Sequence, residues 1–129
     1  FPEALPCLQR LKQQGYWLAV ATGKGRSGLD KAIAQTNTQA FWLETTCASE
    51  YPSKPAPDMV LALCDRLCVE PEEAVVIGDT THDLEMAANA KIHAIAVTTG
   101  AHTSKQLSSM PHVAMLNNLA ELPDVLETL

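Results

Sequence analysis

The stretch Ala74-Val75-Val76-Ile77-Gly78-Asp79-Thr80-Thr81-His82-Asp83 combines a short apolar run with two carboxylates. Its β-branched residues stop at Gly78, a pattern typical of a strand that is buried on both faces. The next residues, 84–90, are mostly apolar or small and predict a helix. Asp79 would then lie at the carboxyl end of a buried parallel strand, where open α/β sheets bind their ligands.

Asp79 and Asp83 together suit a metal ion, because proteins usually hold Mg²⁺ with one or two carboxylates and several waters. Asp83 begins the predicted helix, whose positive dipole end also favours an anion. A purely structural interpretation explains the same residues, with Asp79 as a turn residue and Asp83 as a helix cap. These ten residues alone leave both interpretations open.

The composition narrows the class of protein. The chain has 129 residues, of which 47% are apolar and 19% charged, as in one soluble globular domain. The formal net charge of −6 argues against nucleic acid or an anionic membrane as the main partner. No apolar run approaches the roughly 20 residues of a membrane span. The four cysteines lack metal-ligand spacing, so we expect Cys64 and Cys68 to be buried thiols on one helix face of a cytoplasmic protein.

Predicted strands and helices alternate along the whole chain. Besides the central stretch, we expect strands at residues 16–21, 41–46, 94–97 and 112–115, and helices at residues 3–14, 27–35, 59–68, 104–108 and 119–126. The two tryptophans, Trp17 and Trp42, are interpreted as core aromatics. This alternation predicts an α/β fold, a Rossmann-like parallel sheet with helices on both faces.

Loops that follow the strands of a parallel sheet all lie at one edge of that sheet. We therefore expect four loops to meet there: Thr22-Gly23, Lys54, the Asp79–Asp83 turn and the loop at Gly100. A hydroxyl and backbone N–H groups can bond phosphate oxygens, an ammonium can offset their charge, and a metal ion can complete the neutralisation. The combination indicates a site for a phosphate group, although Lys54 could also be a solvated loop lysine and Thr22 a helix cap.

Three motifs resemble those of haloacid dehalogenase-like (HAD) hydrolases, and phosphoglycolate-phosphatase-type members are the most similar. Residues 18–24 (LAVATGK) resemble the second motif of the family, a strand that ends in Ser or Thr. Residues 53–58 (SKPAPD) resemble the third motif, which contains a lysine, and residues 76–83 (VIGDTTHD) resemble the fourth, which contains two acids. Their order and spacing, over nearly the whole chain, identify residues 1–129 as a partial HAD-like core domain.

The resemblance implies a role for each candidate residue. Thr22 and Gly23 would bind the phosphoryl group of the substrate, and Lys54 would steady the phosphate and the nucleophile, so that Thr22 and Lys54 are the catalytic candidates. Asp79 and Asp83 would hold Mg²⁺. Relatives that displace halide from carbon work without a metal and lack this pair of acids. The pair therefore implies a Mg²⁺-dependent phosphatase that acts on a small phosphorylated metabolite.

The first motif of the family, Asp-x-Asp, does not occur in this sequence. In the family its first aspartate is the nucleophile and its second is the general acid/base. The cap that usually follows this motif is missing as well, and in these enzymes the cap reads the substrate. We therefore expect this chain alone to be inactive and to hold Mg²⁺ only weakly, with most of its ligands supplied by water.

The missing motif also affects the predicted sheet. In the family the strand that carries it lies between the strands that are here at residues 17–22 and 74–79. Without that strand, each neighbour has an unpaired edge unless the two pair directly or another chain fills the gap. A homodimer or a strand swap would be one way to cover these edges.

Two other functional interpretations remain for the same sequence. A non-catalytic module that binds a phosphorylated ligand or a protein would need the binding groups but no nucleophile. A scaffold or oligomerisation domain would need neither, and replacing Asp79 by Asn would leave its behaviour unchanged.

Overall fold

Strands and helices alternate along the chain, as the sequence predicts. The computed structural model describes residues 4–98, 104–108, 112 and 114–127. In this described part the strands are β1 (Leu18–Thr22), β2 (Trp42–Cys47), β3 (Val75–Gly78), β4 (His93–Val97) and β5 (Ala114–Leu116). The helices are α1 (Ala4–Gln13), α2 (Arg26–Thr36), α3 (Asp58–Arg66), α4 (Thr81–Ala90), α5 (Ser104–Leu107) and α6 (Leu122–Glu127).

The strands form two parallel sheets. One contains β1 and β2, in which Thr22 lies opposite Cys47, and the other has the order β3-β4-β5. Lys54 in the loop after β2 contacts Asp83 in the helix after β3. The carboxyl ends of β2 and β3 therefore lie on the same side of the molecule, and all five strands point towards one edge. This confirms the α/β, Rossmann-like architecture.

β1 and β3 do not pair with each other in the described structure. A groove of about 990 Å³ separates them, and residues from both strands line it. No strand of residues 4–98, 104–108 or 114–127 lies between them, as expected for a chain without the first central strand. Direct pairing of its two neighbours, which the sequence left open, does not occur.

Helices cover both faces of the sheet that contains β4. Successive residues of this strand pack in opposite directions, each against a different group of helices. Ala94 and Ala96 join a cluster built from α3, α4 and α5, whereas Ile95 joins a second cluster built from α1, β5 and α6. The side-chain period of two places alternate residues of a strand on opposite faces. An apolar run without polar alternation, such as residues 94–97, is therefore what a strand between two helical layers requires.

The first strand begins two residues later than the sequence predicts. Gly15 adopts a positive φ of 91°, and the Tyr16 N–H donates to the Leu11 carbonyl oxygen (3.1 Å). Tyr16 therefore completes the end of α1 instead of starting β1. Trp17 precedes the strand and is 62% exposed, so the prediction that it is a core aromatic was wrong.

The prediction for Cys68 was also wrong. The helix α3 ends at Arg66, and Cys68 has a positive φ of 56° that turns the chain away from the helix axis. Its thiol is exposed, while Cys7, Cys47 and Cys64 are buried, and all four are free. The loop at Gly100 and the start of the first predicted helix lie outside the described residues. No helix in the described part of the chain is long and apolar enough to cross a bilayer.

We expect the cluster beneath β3 and β4 to dominate the stability of the fold. Leu84 is fully buried in it, so Leu84→Ala should lower the free energy of unfolding by about 2–5 kcal/mol. Leu61→Ala is the matched control, because Leu61 is 39% exposed on α3 and its replacement should cost about 0.5 kcal/mol or less. Urea unfolding measures both, and equal losses would contradict this account of the core.

Candidate functional site

The contact between Lys54 and Asp83 joins the two sheets at their carboxyl edge. Lys54 Nζ lies 2.5 Å from Asp83 Oδ1. The Asp83 side chain is 9% exposed and the Lys54 side chain 20% exposed, so this ion pair is largely shielded from water. A lysine from the loop after β2 and an aspartate from α4 thus meet, although 29 residues separate them in sequence.

The other oxygen of Asp83 holds the turn between β3 and α4. Asp83 Oδ2 accepts hydrogen bonds from the backbone N–H groups of Asp79 and Thr80, both at 3.2 Å, and from the Thr80 hydroxyl at 2.9 Å. The Asp83 N–H donates to Thr80 Oγ1 (3.2 Å), which completes a capping box at the start of α4. A carboxylate offers about four acceptor positions. Three donors share Oδ2, and Lys54 is the donor to Oδ1.

Gly78, the last residue of β3, lets the Asp83 side chain pack against the strand. A Cβ atom at this position would lie 2.3 Å from Asp83 Cβ and 2.9 Å from its carboxyl carbon. Any side chain there would have to displace Asp83. The sequence Gly-Asp-Thr-Thr-His-Asp is therefore a structural unit, because the glycine makes room for the last aspartate, which in turn bonds the residues between them.

Thr22 and Gly23 lie at the carboxyl end of β1, on the edge that carries Lys54. Thr22 Oγ1 accepts a hydrogen bond from the Lys24 N–H (3.2 Å), so the threonine also stabilises its own turn. Gly23 is exposed, and a Cβ atom added to it would meet nothing within 4 Å. The backbone after β1 is thus open to an approaching ligand.

Arg26 fixes this turn to the loop after β2. Its guanidinium donates to Thr45 Oγ1 (2.7 Å) and to Glu50 Oε1 (2.6 Å), and its backbone N–H donates to Ser49 Oγ (3.1 Å). The hydrogen bond from Arg26 lowers the pKa of the Glu50 carboxyl. One arginine thereby joins the start of α2 to the end of β2 and to the turn that follows it.

Comparison with known proteins shows the family of this chain. The family model described as "Haloacid dehalogenase-like hydrolase" matches residues 1–97. The chain belongs to this family.

Among curated proteins, the HAD-like chain is 35% identical over 124 residues to "Probable phosphatase IndB" of Dickeya dadantii, covering 95% of this chain and 54% of that protein. It is 28% identical over 128 residues to a phosphoglycolate phosphatase of Rhodobacter capsulatus, covering 98% of this chain and 57% of the relative. The chain thus spans about half the length of these curated relatives.

Solved structures show the same fold. A haloacid dehalogenase-like family hydrolase from Streptococcus pneumoniae superposes with a TM-score of 0.88 at 22% identity, covering 98% of this chain and 59% of that one. At this level of identity the likeness establishes the fold alone.

The residues of the HAD-like chain fit a magnesium ion only in part. Asp79 directly follows β3 and is half-buried at the edge where Lys54 and Asp83 meet. Both oxygens of Asp83 already accept hydrogen bonds from protein groups, Oδ1 from Lys54 and Oδ2 from three donors of the turn. Residues 4–98, 104–108, 112 and 114–127 contain no group of three His, Cys, Asp or Glu side chains that could hold a metal. Asp79 is therefore the main candidate ligand, and water would supply much of the rest.

Sequence reasoning missed two contributors to this site. No role was assigned to Thr80 from the sequence, although a threonine three residues before an acid at a helix start is the signature of a capping box. The sequence pattern indicates that Gly78 ends the strand, and the structure shows that it also makes room for Asp83.

We predict that Gly78→Ala disturbs the site and the fold together. The added methyl group must displace Asp83, which should cost about 1–3 kcal/mol of unfolding free energy. Gly28→Ala is the control, because its Cβ would meet only Lys24 Cβ at 3.8 Å within α2, where alanine should be neutral or stabilising by up to about 1 kcal/mol. Urea unfolding of the two variants tests this, and equal stabilities would refute the packing argument.

The Arg26–Glu50 pair should make stability depend on pH. The pKa of Glu50 is lower in the folded chain than its ordinary value of 4.5, so the pair stabilises the fold above that value. This stabilisation is lost as the pH falls below about 4.5 towards the folded-state pKa. Glu50→Gln should therefore be less stable than the parent at pH 7 and lose less stability on acidification. The melting temperatures of the parent and the variant, measured at pH 7 and below pH 4.5, test this prediction. Equal melting temperatures of the two proteins at pH 7 would show that the pair contributes nothing.

Proposed function

We propose that this chain is the phosphate- and metal-binding part of a Mg²⁺-dependent phosphatase that acts on a small phosphorylated metabolite. The observation that carries the proposal is the contact between Lys54 and Asp83, because it joins the loop of one sheet to the Asp79–Asp83 turn of the other. The names of relatives add support, since both curated relatives described above are phosphatases by name.

In this proposal each group has one task. The Thr22 hydroxyl and the backbone N–H at Gly23 hydrogen bond to phosphate oxygens, and the Lys54 ammonium offsets their charge. Asp83 holds the Lys54 side chain in place through its buried ion pair. Asp79 binds the metal, which would neutralise further charge on the phosphate when bound.

In this proposal the chain binds phosphate but does not complete the phosphatase reaction. Phosphoryl transfer through a covalent intermediate needs a nucleophile, and the sequence lacks the Asp-x-Asp that supplies it in the family. Of its six aspartates, only Asp79 directly follows a strand. A nucleophile would have to come from polypeptide outside residues 1–129.

A second candidate is a non-catalytic module that binds a phosphorylated ligand, and the missing nucleophile favours it. The two candidates differ when a nucleophile is supplied, because only the phosphatase would gain activity. We also propose a cytoplasmic location, which the four free cysteines support.

Binding of inorganic phosphate in the presence of Mg²⁺ tests the proposal. Calorimetric titration should show weaker binding by about tenfold or more for Thr22→Val and for the double variant Lys54→Met/Asp83→Asn, as expected for loss of hydrogen bonds to a charged group. The double variant avoids leaving Asp83 buried without its cation. Lys31→Met, at an exposed lysine of α2, is the control and should bind like the parent. Unchanged binding in both site variants would overturn the proposal.

Turnover provides a separate prediction. The 129-residue chain should hydrolyse p-nitrophenyl phosphate no faster than buffer, because it has no Asp-x-Asp nucleophile. Release of p-nitrophenolate measures this directly. Hydrolysis that disappears in the Asp79→Asn variant would show instead that the chain is active by itself.

A further inference from the structure

The loop that carries Lys54 is attached to α4 at two points. At the start of the helix, Lys54 Nζ lies 2.5 Å from Asp83 Oδ1. In the last turn of the helix, Asn89 Nδ2 donates a hydrogen bond to the Pro55 carbonyl oxygen at 2.9 Å. Because Lys54 and Pro55 are neighbours in sequence, one contact holds the tip of the lysine side chain and the other holds the backbone at its base.

The spacing of the two contacts suits the length of a lysine. Asp83 and Asn89 are separated by about 9 Å along the helix axis, since an α-helix rises about 1.5 Å per residue. A lysine side chain is a flexible stem of four carbons that ends in the ammonium, so it can bridge much of this distance. The Lys54 side chain therefore extends along α4, from a base held at the last turn to an ammonium held at the first turn.

The other described contacts of this loop do not replace the one from Asn89. The Arg66 guanidinium donates to the Tyr51 hydroxyl oxygen (2.8 Å), which holds the loop before Lys54. The Ala56 N–H donates to the Ser53 carbonyl oxygen (3.1 Å), which closes a turn within the loop. Among the described hydrogen bonds, the one from Asn89 joins the backbone of residues 53–56 to another element of the fold.

Helix formation alone does not favour asparagine at this position. Asn89 lies inside α4 and is exposed, and Ala, Leu, Glu or Lys would each form a helix more readily there. A short side chain with an N–H donor is what the contact with the Pro55 carbonyl oxygen requires. The hydrogen bond therefore gives a reason for asparagine that the helix does not.

We propose that Asn89 is a positioning residue for Lys54. By holding the Pro55 carbonyl group it fixes the base of the lysine side chain, so that the ammonium paired with Asp83 is also directed at the phosphate. An ammonium has three N–H donors, and the described ion pair uses one of them. The inference rests on the proposed function for the identity of the ligand.

The size of the effect is limited by the strength of one hydrogen bond. Asn89 is exposed, so water can bond to the Pro55 carbonyl oxygen once the amide is removed, and the fold should survive. A net hydrogen bond between neutral groups changes an equilibrium by about two- to tenfold. Loss of the contact should therefore weaken phosphate binding by about this factor.

Two replacements of Asn89 separate its hydrogen bond from its other properties. Asn89→Leu removes the donor but keeps a side chain of similar size and raises the helix propensity, so α4 should not be weakened. Asn89→Gln keeps the amide donor on a longer side chain. Gln35→Ala is the control, because Gln35 is an exposed amide on α2 with no described hydrogen bond to the loop.

Carbon–proton NMR spectra of the folded chain without phosphate report on the Lys54 side chain directly. The two Hε protons of a held lysine have different surroundings and give separate signals, whereas motion averages them. Lys54→Met assigns these signals. Their separation should shrink in Asn89→Leu, return at least half-way to the parent value in Asn89→Gln, and stay unchanged in Gln35→Ala. A residue that only stabilised the fold would leave these signals of the folded chain unchanged.

Calorimetric titration with inorganic phosphate in the presence of Mg²⁺ measures the consequence for binding. Asn89→Leu should bind phosphate about two- to tenfold more weakly than the parent. Asn89→Gln should recover part of this loss, and Gln35→Ala should bind like the parent.

Equal Hε separations in the parent and in Asn89→Leu would overturn the proposal. Equal losses in Asn89→Leu and Asn89→Gln would overturn it as well, because the amide donor would then not be the cause. So would unchanged phosphate affinity in Asn89→Leu when the parent binds. A parent chain that binds no phosphate would instead overturn the proposed function, and the NMR spectra would still decide whether Asn89 holds Lys54.

Discussion

The carboxylate of Asp83 is the constraint on which this edge of the protein depends. One oxygen pairs with Lys54 from the other sheet, and the second bonds the backbone and hydroxyl groups that shape the turn after β3. A buried charge is tolerated only when it is paired and hydrogen bonded. The aspartate therefore couples two requirements: the turn has its shape only with the acid inside, and the acid stays inside only with the lysine beside it.

Much of this arrangement could be predicted from the sequence because its causes are local or topological. Apolar runs bounded by glycine predicted β3 and β4, and the alternation of strands with helices predicted a parallel sheet. Since parallel strands place their following loops at one edge, Lys54 and Asp83 were expected to be neighbours, and they form an ion pair. The missing central strand was expected because the Asp-x-Asp motif is absent, and the structure has a gap at that position.

Other features depend on packing that no single stretch of sequence reveals. Trp17 is an aromatic residue of the kind that cores contain, but it lines the groove between the two sheets and is exposed. Cys68 continues the apolar face of α3 in sequence, yet the helix ends two residues earlier. Gly78 is needed because Asp83 folds back against it, a contact visible only once the turn has closed. Periodicity predicts well which segments form helices and strands. The residues at which these helices and strands end depend on contacts outside the segment.

The position of β4 has a consequence for how the molecule opens. Among the described strands β4 pairs with a strand on each side, whereas β1, β2, β3 and β5 each pair on one side only. Local opening should therefore begin at strands that pair on one side only and reach β4, the middle of the three-stranded sheet, last. Amide protons of Ile95 and Ala96 would then exchange with solvent only when most of the fold is lost, while those of the β1 backbone would exchange through smaller, more frequent fluctuations.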